Sequence, residues 1–140
     1  MLKWNLRKRK ADELPSLDFS SLGTDIHSHL IPGIDDGSPD METTISLINK
    51  MLELGFSKVI TSPHIMSDFY RNSSEEILSG LNAVRAELKL QNINIDIDAA
   101  AEYYIDYEFE KKIGKDTFLT FGESYILIEL SFLSEPKNLF

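Results

Sequence analysis

The sequence predicts an α/β fold of parallel βαβ units, on three observations. From Gly23 onward, short β-rich runs alternate with amphipathic helical runs. The helical runs place apolar residues at the 3.6-residue period, and the residues with metal-binding chemistry fall at the ends of the strand runs. Strands that alternate with helices pair in parallel, joined by right-handed crossovers. Sites on such sheets are built at the C-terminal ends of the strands.

The first expected strand runs from Thr24 to His29 and ends in the turn-rich loop Ile31-Pro32-Gly33-Ile34-Asp35-Asp36-Gly37. A helix follows. Ser38 serves as its N-cap with Pro39 at the first helical position; Met41, Ile45, Ile48 and Leu52 form the stripe, and Gly55 ends it. The second strand, Ser57 to Ser62, leads into Pro63 and His64. Ser73 and Glu76 then form a capping box for a helix whose apolar face is Ile77, Leu81, Val84 and Leu88. In the third strand Ile93, Ile95, Ile97 and Ala99 alternate with Asn94, Asp96 and Asp98, its solvated or helix-facing side, before Ala101-Glu102. A short helical candidate over Asp106 to Lys112 stops at Gly114. The fourth strand, Tyr125 to Leu130, is almost continuously apolar, as a strand buried on both faces should be. No internal repeat is visible.

Composition bounds the chemistry. With 42% hydrophobic residues over 140 positions, a sizeable core is expected, while no run nears the roughly 18 apolar residues of a membrane span. The basic start is not followed by the apolar stretch of a secretory signal, so the expected compartment is the cytoplasm. There is no cysteine, so any metal must sit on imidazole and carboxylate. Five of the 14 basic residues, Lys3, Arg7, Lys8, Arg9 and Lys10, lie in the first ten positions, where there is no acid. The remaining positions therefore set nine basic residues against 23 acidic ones, a surface that argues against nucleic acid and suits a cation. Residues 1–22 read as a basic, then polar, N-terminal extension, either a solvated tail or a short packed arm. Membrane contact is expected only indirectly.

His27 and His29 are two apart in an extended segment, so their side chains point the same way and can grip one ion. Such a pair also occurs as ordinary satisfied polar groups at a strand end. Asp25 shares that face and offers an acceptor or anchor for them. Asp35-Asp36-Gly37 fits a simple turn, but beside the histidines Asp36 reads as a ligand. His64, Glu102 and Glu129 each fall at the end of a strand run. Glu102 and Glu129 interrupt apolar runs, where an unpaired carboxylate costs several kcal/mol to bury and a cation would remove that cost. Tyr103, Tyr104 and Tyr107 read as core or rim packing, and Arg71 as a solvated surface residue rather than a phosphate contact.

Asp25-Ile26-His27-Ser28-His29 through Asp35-Asp36-Gly37, then Thr61-Ser62-Pro63-His64, Ala101-Glu102 and Leu127-Ile128-Glu129-Leu130-Ser131, resemble the bacterial tyrosine phosphatases of the PHP superfamily. These form the CpsB/YwqE group linked to capsule and exopolysaccharide synthesis. The resemblance spans about Gly23 to Ser131 and implies a distorted, seven-stranded (β/α) barrel with a divalent metal cluster at its C-terminal mouth. Manganese is expected, with Fe, Zn, Mg or Co as alternatives. By position, it implies that His27, His29 and Glu102 hold one metal. Glu102 bridges to a second that Glu129 also binds, and Asp36 and His64 hold a third. No catalytic residue beyond the ligands, and no cysteine, is then needed. The implied substrate is phosphotyrosine on the tail of a tyrosine kinase.

In that family a further His, an Asp-x-His and the phosphate-holding arginines come from the second half of the barrel, which takes on the order of 250 residues. Residues 23–140 would then be the N-terminal half of such a domain, about four strands. The expectation is an incomplete fragment, inactive or nearly so, whose unpaired edges drive self-association. Three other readings compete. One is another PHP phosphoesterase, of the histidinol-phosphate phosphatase or polymerase-associated nuclease type, against which the acidic body and the Pro32-to-Gly37 loop argue. A metal-dependent amidohydrolase would place a bridging Lys at a later strand end, where this chain offers Glu129. The last is a non-catalytic interaction module.

Overall fold

The computed structural model describes residues 17–115 and 118–131. Its strands are β1 (Thr24–Asp25), β2 (Lys58–Thr61), β3 (His64–Ile65), β4 (Asp96–Ala99), β5 (Glu102–Tyr104) and β6 (Leu127–Glu129). The helices are α1 (Met41–Glu53), α2 (Ser74–Leu90) and α3 (Tyr107–Lys112). All strand pairs are parallel, in two three-stranded sheets of order β1-β2-β4 and β3-β5-β6. The mixed α/β architecture and the parallel pairing agree with the sequence reading.

The two sheets arise because pairing resumes just beyond the second and third expected strands. β2 stops before Ser62-Pro63 and resumes as β3, and β4 stops before Ala100-Ala101 and resumes as β5. Backbone bonds carry the pairing across the gap: Ala100 N–H donates to Thr61 O at 2.9 Å and Glu102 N–H to Pro63 O at 3.0 Å. His64 and Glu102 thus lie just past β2 and β4, as expected, and each also opens a new short strand. Of the strand-end residues, Glu129 alone closes a described strand.

The first strand is also shorter than expected, because after Asp25 a side chain replaces the ladder. The Thr61 hydroxyl donates to Ser28 O at 2.9 Å and accepts from Leu30 N–H at 2.8 Å. α1 is capped by Asp40, not Ser38: the Asp40 carboxylate accepts Thr43 N–H at 2.7 Å, which leaves Pro39 outside the helix. Ser38 is buried and bonds the Thr44 hydroxyl instead. The α2 capping box of Ser73 and Glu76 is present in both directions. In β4 Ile97 and Ala99 point inward and Asp96 and Asp98 outward, where Lys58 and Arg85 pair with them.

The core lies between the helices and the sheets. Ile45 and Ile48 of α1 and Ile77, Leu81, Val84 and Leu88 of α2 cover Val59, Ile97 and Ala99. The last residues of the N-terminal extension pack here too: Phe19 N–H donates to Leu54 O at 2.7 Å and its ring stacks on Phe56. The basic stretch before it lies outside the described residues. β6 departs from expectation, since Ile126, Ile128 and Leu130 are exposed. It is the outer strand of its sheet, and no described element covers its far side.

Candidate metal centre

All three histidines of the chain converge on one carboxylate oxygen. Glu102 Oε2 lies 3.1 Å from His27 Nε2, 3.2 Å from His29 Nε2 and 3.4 Å from His64 Nδ1. Parallel pairing brings this about, since His64 and Glu102 are register partners on β3 and β5 and project to the same face. Their neighbours Ile65 and Tyr103 point the other way, Tyr103 into the core. The Glu102 side chain is only 8% exposed, so its charge is withdrawn from water and held by what surrounds it.

The six residues singled out in the sequence fall into three overlapping groups whose ligand atoms lie within 4.8 Å of one another. These are His27, His29 and Glu102; His29, Asp36 and His64; and His64, Glu102 and Glu129. Asp36 Oδ1 lies 3.5 Å from both His29 Nδ1 and His64 Nε2, and Glu129 Oε2 lies 3.5 Å from His64 Nδ1. An open groove of about 680 Å³ exposes the cluster, bordered by Lys50, Met51 and Leu54 at the end of α1.

Asp35 organises the cluster although the sequence pointed to its neighbour. Its side chain is fully buried, and Oδ2 lies 2.9 Å from His29 Nδ1. Oδ2 also accepts His64 N–H at 3.0 Å, and Oδ1 accepts Gly37 N–H at 3.0 Å. The hydrogen bond to Asp35 is the main cause that raises the His29 pKa above its usual value. For Asp35 burial pushes upward, but the bonds from His29, Gly37 and His64 outweigh it and hold the carboxyl below the usual range. With Nδ1 engaged by Asp35, the nitrogen that His29 turns toward Glu102 is Nε2, 3.2 Å from Oε2.

Asp25 Oδ2 is buried without a hydrogen-bond partner, and the acceptor contact to His29 Nδ1 is made by Asp35. Arg71 donates to Ser67 O and lines a separate cleft of about 510 Å³ with Tyr103 and Tyr107. The Asp35-Asp36-Gly37 segment does form a turn, and it brings Asp36 Oδ1 within 3.5 Å of His29 and His64. Asp35 forms the turn with Gly37 and also turns inward.

The residues fit divalent ions. His64 Nδ1 is buried without a hydrogen-bond partner although two carboxylates lie within 3.5 Å, the arrangement of groups that converge on a shared ion. Imidazole nitrogen and carboxylate oxygen without sulfur suit hard and borderline metals.

Residues 23–139 match the family model described as "Capsular polysaccharide synthesis, CpsB/CapC". Similar proteins include the tyrosine-protein phosphatase YwqE of Bacillus subtilis, 27% identical over 81% of this chain and 45% of that protein. The tyrosine-protein phosphatase CpsB of Streptococcus pneumoniae is 28% identical over 76% of this chain and 44% of that one. The fold matches a structure described under YwqE and CpsB as unique metal-dependent tyrosine phosphatases, with a TM-score of 0.70 at 27% identity. That match covers 78% of this chain and 44% of the other. The chain thus spans less than half the length of these relatives.

Proposed function

Because the chain belongs to the CpsB/CapC family of capsular polysaccharide synthesis, we propose that it carries the N-terminal part of the metal centre of a protein-tyrosine phosphatase. The observation that carries this reading is the convergence of three imidazoles on Glu102 Oε2. In this reading the two parallel sheets are the first part of a distorted, seven-stranded PHP barrel, residues 23–140 belong to that domain, and 1–22 precede it. His27, His29 and Glu102 hold one ion, Glu102 and Glu129 share a second with His64 beside them, and Asp36 and His64 hold a third. Manganese is the proposed metal.

Divalent ions at these positions supply positive charge to phosphoryl oxygens and ease deprotonation of water. The chain's own residues hold and orient. Asp35 keeps the proton on His29 Nδ1, Glu102 ties the histidines together, and the groove leaves the cluster open to a phosphorylated side chain. The proposed substrate is the phosphotyrosine-bearing tail of a tyrosine kinase in capsule or exopolysaccharide synthesis, met in the cytoplasm. No described helix is long and apolar enough to cross a membrane.

The test is metal analysis of the protein as the cell makes it, with hydrolysis of a phosphotyrosyl peptide in Mn2+. His27→Ala and His29→Ala should each abolish hydrolysis. Hydrolysis of amides or carboxylic esters without phosphotyrosyl peptide would overturn the reading in favour of an amidohydrolase. Metal-free protein that binds a kinase tail without hydrolysis would mark an interaction module.

A further inference from the structure

The group of His29, Asp36 and His64 joins two segments far apart in sequence, and something must hold their spacing. Asp36 cannot do so itself, since its side chain is 60% exposed on a turn. The bonds that fix the spacing are made one residue away. Asp35 Oδ2 accepts the His64 N–H at 3.0 Å. From the other side, Asn72 Nδ2 donates to His64 O at 2.8 Å and to Ile34 O at 3.0 Å. Both groups facing that nitrogen are carbonyl acceptors, so the amide orientation is fixed and both its hydrogens are used. His64 is thus gripped at its N–H and at its C=O, each time by a link to residues 34–35.

The neighbours of Asn72 make this grip rigid. Asn72 immediately precedes Ser73, the N-cap of α2, whose face is buried through Ile77, Leu81, Val84 and Leu88. Tyr70 lays its ring parallel to the His64 imidazole, with centroids 5.4 Å apart at 11°. A helix anchored in the core therefore presents the amide.

We propose that Asn72 is a positioning residue of the metal centre, which with Asp35 clamps the His64 peptide against the Asp36 turn and so sets the His64-to-Asp36 ligand spacing. The proposal rests on the metal-site reading above. Aspartate at 72 has the same shape but no donor, and alanine has neither. Removing Asn72 leaves every ligand in place and loosens only the distance between them.

The experiment is a Co2+ titration of the protein as the cell makes it, read by the visible absorption of bound Co2+, which reports coordination geometry. Asn72→Asp and Asn72→Ala should each weaken binding about 10- to 100-fold, the range for outer partners of metal ligands, and alter the spectrum. Asp106→Ala, which releases the other end of the same loop from Ser67, should change neither. Wild-type affinity and spectrum in both Asn72 variants, or an equal loss in Asp106→Ala, would overturn the proposal. If the unsubstituted protein takes up no Co2+, the metal reading itself fails. The clamp is then decided by hydrogen exchange at the His64 amide, expected about tenfold faster in Asn72→Ala and unchanged in Asp106→Ala. Unaltered exchange in Asn72→Ala rejects it.

Discussion

At Gly37 the chain passes against His29 with no room for a side chain. A Cβ there would lie 2.2 Å from His29 Cβ and 2.4 Å from His29 O, atoms that move only with the backbone. Gly37→Ala should therefore displace the turn that carries Asp35 and Asp36, at a cost of about 1–3 kcal/mol. A lowered thermal midpoint together with weakened metal binding checks this; an unchanged midpoint contradicts it. Asp35→Ala acts at the same point by another route, since it strips the acceptor from His29 Nδ1, His64 N–H and Gly37 N–H at once. Calorimetric metal titration should show affinity reduced about 10- to 100-fold, although no ligand has been removed. Glu102 and Glu129 were legible as carboxylates that interrupt apolar runs, and His27, His29, Asp36 and His64 by their spacing and their place near strand ends. Asp35 was hidden because adjacent aspartates before a glycine look alike in sequence, and only burial separates them.

At the scale of elements, the longer helices and the register of β4 followed from periodicity because each presents several repeats of one pattern. β3 and β5 did not. They are two and three residues long, below the length at which alternation can be counted; Pro63 marks the gap before β3 as a stop, and Ala100-Ala101 before β5 carries no turn signal at all. The site depends on those gaps, since each restarts a strand at the residue whose side chain meets the cluster. α3 shows how a short element is held when burial contributes little: none of its residues is buried, and Asp106 caps it. The Asp106 carboxylate accepts from Phe109 N–H at 2.8 Å and from both the N–H and the hydroxyl of Ser67. Burial pushes its pKa up, but these bonds prevail and lower it. A lowered folded-state pKa stabilises the fold above the unfolded value of about 3.9. That stabilisation is lost as pH falls through the lower, folded value. Thermal melts at descending pH should show α3 and the Ser67 loop loosening below about pH 4, and Asp106→Asn should flatten that dependence. An identical acid profile in the variant would remove Asp106 as the cause.

At the scale of the molecule, the departure from the sequence reading is the burial of the fourth strand. The apolar run of the fourth strand reads as burial on both faces, because parallel sheets have that composition when both faces are covered. Here β6 is the outer member of its sheet, with Ile126 39%, Ile128 44% and Leu130 43% exposed. β1 is the outer member of the other sheet, and no described strand pairs with its free side. The composition is therefore right for a covered strand, and the cover is absent among the described residues. Unpaired backbone on an apolar outer strand is a template for pairing with another chain. The chain of 140 residues should accordingly associate with copies of itself as its concentration rises. Static light scattering would record a mass that climbs with concentration, and Ile128→Lys on the outer strand should return it toward the monomer by setting like charges against each other. A well-folded monomer across the whole range, by scattering and circular dichroism together, would show that β6 tolerates its exposure.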